Sequence, residues 1–422
     1  MTHILDDLRW RGLIQDSTDP DELRKALDAG PVTFYVGFDP TGPSLHIGHL
    51  VQTLTARRLQ LAGHRPLLLV GGSTGLVGDP SGRSAERVLN SVETVREWVV
   101  RLRTQLEPFY DFEGPNAATM VNNLDWTGPL SALEFLRDVG KHFPVNQMLA
   151  RDVVRNRLES GISYTEFSYQ ILQSLDYYEL NRRYGCVLQQ GGADQWGNLT
   201  AGLDFLRRKG ATGCHAFTTP LITRADGTKF GKTADGEAVW LDPAMTSPYA
   251  FYQFWYNVSD ADVIHYLKVF SFRSREEIEE LARATGERPA ARAAQKALAE
   301  ELTALLHGEE ELAKVVAASQ ALFGRGELAD LDEATLAAAL REAGLTEVKR
   351  PLPAIARLLA ETGLVGSLSE ARRVVREGGA YVNNGKVSDG EAPPDEADLL
   401  HGRYLVLRRG KRTVAGVEIT TG

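Results

Sequence analysis

The chain is 422 residues long and carries a net charge of −9, from 47 Lys and Arg against 56 Asp and Glu. An apolar fraction of 43% and a charged fraction of 24% describe a soluble globular protein of two or three domains, and the acidic balance weighs against broad nucleic-acid binding without excluding a local basic patch. Two cysteines, Cys186 and Cys214, cannot build a disulfide framework. The first residues show no basic stretch leading into an apolar core, and no apolar run nears the ~18 residues of a membrane span, so a cytoplasmic protein is expected.

Residues 1–30 read as two short amphipathic helices. Residues 32–36 alternate like a strand, with Val32, Phe34 and Val36 on one face and Tyr35 on the other. The run Asp39-Pro40-Thr41-Gly42-Pro43 forbids regular structure. Ser44 is positioned to cap a following helix, in which Leu50, Leu54 and Leu59 recur at helical spacing. His46 and His49 fall on one face of its first turns, with Gly48 between them. Strand, loop and helix N-terminus together place free backbone N–H groups beside two imidazoles, which suits a nucleotide phosphate. Two histidines without further Cys or acidic ligands do not make a metal site, so no protein-ligated metal is expected.

The apolar run 66–71 fits a strand covered on both faces of a parallel sheet. A glycine-rich loop, 72–82, follows at its carboxyl end; it matches neither the P-loop nor the dinucleotide pattern, but ligands gather at such ends. Residues 94–106 are helical, 118–122 form a third strand, and Ser131 with Glu134 is a capping box. From Thr165 a helix runs toward Leu180. Phe167, Ile171, Leu175 and Tyr178 form its apolar stripe, and Tyr169, Gln173 and Asp176 form a separate polar one. A solvated stripe would favour Lys and Glu, whereas Tyr, Gln and Asp orient a small ligand bearing an amine or hydroxyl. A fourth strand, 186–190, ends in Gly191-Gly192, and the polar run Ala193-Asp194-Gln195-Trp196-Gly197-Asn198 opens another helix. After a fifth strand at 215–218, Lys229-Phe230-Gly231-Lys232-Thr233 places two lysines on a loop, where they can swing onto a polyphosphate.

From 247 to 345 the composition shifts to Ala, Leu, Glu and Arg at helical period, a separate helical domain. The last segment, 351–422, segregates its charges. Arg372, Arg373 and Arg376 lie on a helix, Arg408 and Arg409 border a strand-turn-strand, and Asn384-Gly385 signals a hairpin. A basic helix beside a basic hairpin reads as an RNA-binding module.

The segment Pro-Thr-Gly-Pro-Ser-Leu-His-Ile-Gly-His, followed at residue 229 by Lys-Phe-Gly-Lys-Thr, resembles the paired signatures of class I aminoacyl-tRNA synthetases, the second as a variant of Lys-Met-Ser-Lys-Ser. With residues 35–39, the stripe of Tyr169, Gln173 and Asp176, and residues 194–198, the resemblance narrows to the bacterial tyrosyl-tRNA synthetase family and covers almost the whole chain. It implies an α/β fold: a Rossmann-type parallel-sheet catalytic domain (1–246), an all-α anticodon-recognition domain (247–345) and a small α+β RNA-binding module (351–422). It also implies a homodimer.

The implied reaction joins L-tyrosine to ATP, with Mg²⁺ arriving on the nucleotide, and passes the tyrosyl group to tRNA(Tyr). His46, His49, Thr41, Lys229 and Lys232 would act on the phosphates. Gly37, Asp39, Gly48, Asp194, Gln195 and again Lys232 would hold ATP. For tyrosine, Asp79, Tyr169 and Gln173 would take the α-ammonium, while Tyr35 and Asp176 reach the phenol. One departure is Val36, where many members carry a cysteine near the ATP ribose. Two competing classes are a nucleotidyltransferase, which needs neither a helical domain nor an RNA-binding tail, and a non-enzymatic RNA-binding protein on a synthetase scaffold. Among synthetases, tryptophanyl specificity is the nearest alternative.

Overall fold

The structure, a computed structural model, describes residues 3–81, 89–155, 161–228, 230–231 and 236–420. It divides into two compact units, Met1–Asp242 with Ser259–Ala294, and Pro243–Val258 with Gln295–Gly422.

The first unit is built on five parallel strands, β1 (Thr33–Phe38), β2 (Arg65–Val70), β3 (Thr119–Asn122), β4 (Cys186–Gly192) and β5 (His215–Thr219), in the spatial order β3-β2-β1-β4-β5. The chain winds outward one way from β1 and the other way from β4. The boundary between those two strands is therefore the switch point, where a crevice opens beyond the carboxyl ends. Helices cover both faces, so the alternation in β1 does not divide buried from exposed: Phe34, Tyr35 and Val36 are all buried. β2 is buried along all but its first residue, as a continuous apolar run in a parallel sheet requires.

Two helices frame the crevice. Ile47–Leu61 follows β1, and Tyr164–Tyr184 precedes β4. The second is capped by Ser163, whose Oγ accepts from the Glu166 N–H at 3.2 Å, and stops at Gly185 in the left-handed conformation. Its Ile171 and Leu175 are buried in a core with Tyr35, Leu67, Leu69, Tyr177 and Phe205, and Phe167 and Tyr178 pack on the rim. The glycine-rich stretch after β2 is partly ordered as a helical turn, Thr74–Val77. Gly71 has to be glycine there, because a Cβ would collide with Thr74 Oγ1 and Asp39 Oδ1.

The helices Asp260–Phe270 and Arg275–Glu287 belong to this first unit, although their composition resembles the helices that follow. Buried arginines bring the connection between them home. Arg11 donates to the carbonyls of Lys268, Ser271 and Arg273, and Arg58 Nη2 to that of Ser271 at 2.6 Å. Such long-range bonds leave no periodic trace in a sequence.

The second unit contains the helices Pro248–Tyr256, Glu309–Ala321 and Glu333–Ala343 and a sheet of β6 (Leu345–Lys349), β7 (Ala380–Val382), β8 (Gly385–Lys386), β9 (Tyr404–Arg409) and β10 (Thr413–Thr420). Their order is β6-β10-β9-β7-β8, antiparallel except for β6 beside β10. Helices Ile355–Glu361 and Leu368–Arg376 pack on it over Leu358, Leu359, Leu405, Leu407 and Val417. The β7–β8 hairpin is present, but its turn is Asn383-Asn384 and not Asn384-Gly385. Val382 pairs with Gly385, and both asparagines take positive φ, 45° and 65°, as a two-residue type I′ turn demands. Among the described residues, no helix is long and apolar enough to cross a membrane.

Candidate active site

A cavity of about 370 Å³ lies beyond the carboxyl ends of β1 and β4. It is lined by Tyr35, Gly37, Asp39, Thr41, His46, Gly48 and His49 from the first half of the unit. Asp79, Tyr169, Gln173, Asp176, Asp194 and Gln195 line it as well. These are the active-site residues named from the sequence, brought together, apart from Lys229 and Lys232, which lie outside the described residues.

At one end the cavity presents Tyr35 and Asp176. Asp176 is 1% exposed, and its two carboxylate oxygens accept from Trp126 Nε1 at 2.8 Å and Asn123 Nδ2 at 3.0 Å. Burial pushes its pKa up to about 7, although both hydrogen bonds pull the other way. Tyr35, 2% exposed, stacks obliquely on Tyr177 at 5.4 Å, and among the described residues its hydroxyl has no hydrogen-bond partner. A buried hydroxyl left unpaired beside a buried carboxyl is a place for a ligand that carries its own hydroxyl.

In the middle, Asp39 accepts from Tyr169 Oη and Thr74 Oγ1, both at 2.6 Å. Asp39 therefore stands among the groups expected to hold tyrosine as well as those expected to hold ATP. Burial, and next the Asp39 carboxylate, keep Tyr169 well above the ordinary phenol value, so it remains a donor. Asp79 is set by two bonds, from Gln195 Nε2 at 2.5 Å and from the Ser81 N–H at 2.9 Å. Gln195 Oε1 in turn accepts from Asn198 Nδ2 at 3.0 Å. Burial, then the neighbouring Asp79, raises the pKa of Asp194.

At the other end sit the histidines, and here the helix start differs from expectation. The cap of Ile47–Leu61 is His46, not Ser44. His46 Nδ1 accepts from the Gly48 N–H at 3.1 Å, and His49 Nδ1 accepts from the His46 N–H at 3.1 Å, a capping box built from two imidazoles. Ser44 instead accepts from the Asp242 N–H at 3.1 Å and donates to the Leu45 carbonyl. The geometry sets the tautomers. With each Nδ1 accepting, the proton of each neutral ring sits on Nε2. Both rings are held neutral: desolvation lowers His46, and desolvation followed by His46 itself lowers His49 to about 3. They are hydrogen-bond donors rather than charges. Gly48 is required by His46, since a Cβ there would stand 2.8 Å from the His46 Cε1.

The sequence reading missed Asn123, Trp126 and Thr74, which position Asp176 and Asp39. Asn123 follows directly on the carboxyl end of β3, the kind of position that singled out the glycine-rich loop after β2. The same rule applied to every strand would have found it.

Of the basic residues assigned to RNA in the second unit, Arg372, Arg373 and Arg376 are exposed. Arg372 pairs with Glu391 at 2.6 Å, and Arg409 with Glu370 at 2.9 Å, both near the surface. Arg408 is a correction. It is 8% exposed, lies 4.5 Å over the Tyr381 ring and donates from Nη1 to the Phe323 carbonyl at 3.1 Å, so its guanidinium is turned into the fold rather than presented at the surface.

Comparison with known proteins places this geometry. The family described as tRNA synthetases class I (W and Y) matches residues 27–324, and the tyrosine–tRNA ligase SYY-like C-terminal domain matches 336–415. The chain is 67% identical over 423 residues to the tyrosine–tRNA ligase of Streptomyces coelicolor, covering 100% of both, and 60% identical over 418 residues to that of Mycobacterium bovis, covering 98% of both. Among solved structures, a C-terminally truncated mitochondrial tyrosyl-tRNA synthetase of Aspergillus nidulans superposes with a TM-score of 0.69 at 31% identity, covering 76% of this chain and 95% of that one. With its two signatures, its parallel sheet and a cavity at the switch point, the chain belongs to the class I tRNA synthetases, in the branch that groups the tryptophan and tyrosine enzymes.

Proposed function

We propose that the chain is a tyrosine–tRNA ligase, and the observation that carries this reading is the pairing of the unpartnered Tyr35 hydroxyl with buried Asp176. A tyrosine phenol between them donates to Asp176 and accepts from Tyr35. Its α-ammonium then meets Asp79, Tyr169 and Gln173, and Asp39 through Tyr169. The tyrosine carboxylate attacks the α-phosphorus of ATP, the bond from that phosphorus to the bridging oxygen breaks, and pyrophosphate leaves. The 3′-terminal adenosine of tRNA(Tyr) next attacks the adenylate carbonyl through a ribose hydroxyl, and AMP departs.

Little proton transfer is needed in the first step, so positioning and charge stabilisation dominate. The Nε2–H groups of His46 and His49, with the helix N-terminus behind them, are donors for phosphate oxygens. Thr41, at the exposed mouth, adds a hydroxyl toward the γ-phosphate, and Gly48 leaves room for the base. Asp194 and Gln195 suit ribose and carboxylate. The described part of the cavity carries carboxyls and neutral imidazoles, so positive charge must enter with Lys229 and Lys232 of the second signature and with Mg²⁺ travelling on the nucleotide. Arg372, Arg373, Arg376 and Arg409 of the 351–422 module contact tRNA phosphates, the 247–345 helices read the anticodon, and the enzyme works as a homodimer. Pyrophosphate exchange into ATP, run with each amino acid in turn, tests the reading. Exchange with tyrosine alone is expected, and exchange driven by tryptophan would overturn it.

A further inference from the structure

Resting on the ATP site just proposed, we infer that Gln190, clamped by Gln52, accepts a hydrogen bond from one ribose hydroxyl of the nucleotide, supplying the polar contact that Val36 cannot. Val36 and Gln190 are direct cross-strand partners on β1 and β4, the two strands that flank the crevice, and both line the cavity. Val36 is 1% exposed and offers only methyl groups. Gln190, 2% exposed, brings an amide to the same place.

The amide can face only one way. One of its terminal atoms lies 2.9 Å from the backbone carbonyl oxygen of Gln52, which can only accept, so that atom is the nitrogen. The same nitrogen lies 3.1 Å from Gln52 Oε1, which makes the other end of Gln52 the nitrogen that donates to Thr219 Oγ1 at 2.6 Å. Each assignment in this chain of three side chains fixes the next. What remains is Gln190 Oε1, buried and without a partner among the described residues. A buried amide oxygen that strand and helix hold so firmly, yet leave unpaired, is an acceptor waiting for a ligand donor.

The neighbourhood says which donor. At Gly192 a Cβ would stand 2.7 Å from Asp194 Oδ1 and 3.5 Å from Gln52 Nε2, so the carboxylate and the clamp border one glycine cradle where a ligand can approach the backbone. The Asp194 carboxylate at that cradle and the Gln190 amide oxygen, two residues before the cradle glycine on β4, line the same cavity and are two acceptors for two adjacent hydroxyls, which the vicinal diol of ribose supplies.

Tyrosine-dependent pyrophosphate exchange measured with ATP, 2′-deoxy-ATP and 3′-deoxy-ATP separates this role from a structural one. The wild-type chain should lose about 2- to 12-fold in kcat/KM for the nucleotide when the hydroxyl read by Gln190 is removed, the range of one neutral hydrogen bond. Gln190→Met should show a comparable loss with ATP, carried by the KM for ATP and not that for tyrosine. It should lose nothing further with that one deoxy analogue, while staying fully sensitive to the other. Gln52→Met keeps the acceptor and the backbone carbonyl that orients it but removes the second anchor at Gln52 Oε1; it should weaken the same coupling and serves if Gln190→Met does not fold. Equal sensitivity of the wild type and both variants to each analogue would overturn the inference while leaving the tyrosine reading intact. Absence of any tyrosine-dependent exchange in the wild type would instead remove the reading on which it rests.

Discussion

Tyrosine and phenylalanine differ by one hydroxyl, and the proposed site reads that difference at the end of the cavity that holds Tyr35 and Asp176. When phenylalanine binds, the Tyr35 hydroxyl stays unpaired and Asp176 keeps only its bonds from Asn123 and Trp126. Each buried polar group left without its partner costs about 1–3 kcal/mol, so two give about 2–6 kcal/mol, or roughly 30- to 10⁴-fold against phenylalanine. Tyr35→Phe removes one neutral bond, about 0.5–1.5 kcal/mol, and should lower the ratio of kcat/KM for tyrosine over phenylalanine by about 2- to 12-fold. Asp176→Asn should do more. Its amide must turn an NH₂ toward either Trp126 Nε1 or Asn123 Nδ2, both of which donate, so a donor–donor contact is buried at about 1–3 kcal/mol besides the lost acceptor. The assay is pyrophosphate exchange with each amino acid, run alongside a thermal melt that separates lost selectivity from lost fold. A ratio unchanged in both variants would show that other residues read the hydroxyl.

Further outcomes follow from the same geometry. His46→Ala and His49→Ala should each slow adenylate formation on the order of 10²–10³-fold with the KM for tyrosine little changed, because each removes a preorganised neutral donor; a tenfold rise in that KM at an unchanged forward rate would contradict the role. Since burial pushes Asp176 up to about 7 in the free site and its ionised form is the stronger acceptor for a phenol, the KM for tyrosine should fall as pH rises from 6 to 8, and Asp176→Asn should flatten the profile. His49, held neutral down to about 3, contributes stability that is present above its unfolded value of 6.5 and lost as pH falls toward 3; acid melts of wild type and His49→Gln should diverge in that window. Arg373→Ala and Arg376→Ala should reduce the salt dependence of tRNA binding by about one unit of slope each, whereas Arg408→Ala should lower thermal stability by releasing Tyr381 and the Phe323 carbonyl, with the salt slope unchanged.

The parts of this molecule that could be read from its sequence share a physical cause. The polar stripe of Tyr169, Gln173 and Asp176 was legible because a helix keeps period, and a face with neither Lys nor Glu is an unusual face to show to water. The strands were legible because burial on both sides leaves an unbroken apolar run, as in β2. What escaped detection depends on contacts between distant residues. Trp126 becomes part of the site only when β3 is laid beside β2, and the buried arginines that hold 259–294 to the first unit bond to carbonyls, which carry no sequence identity. The capping role of His46 was missed for another reason. Serine is the commoner cap, and only the closing of two imidazoles onto each other's turn excludes it.

The most direct test of the account is a single turnover followed through both halves. The chain is incubated with labelled tyrosine and ATP, filtered free of small molecules, and mixed with tRNA(Tyr). One tyrosyl group per active site should co-elute with the protein and then move to the tRNA with release of AMP. Retention of no tyrosine, or retention without transfer, would contradict this.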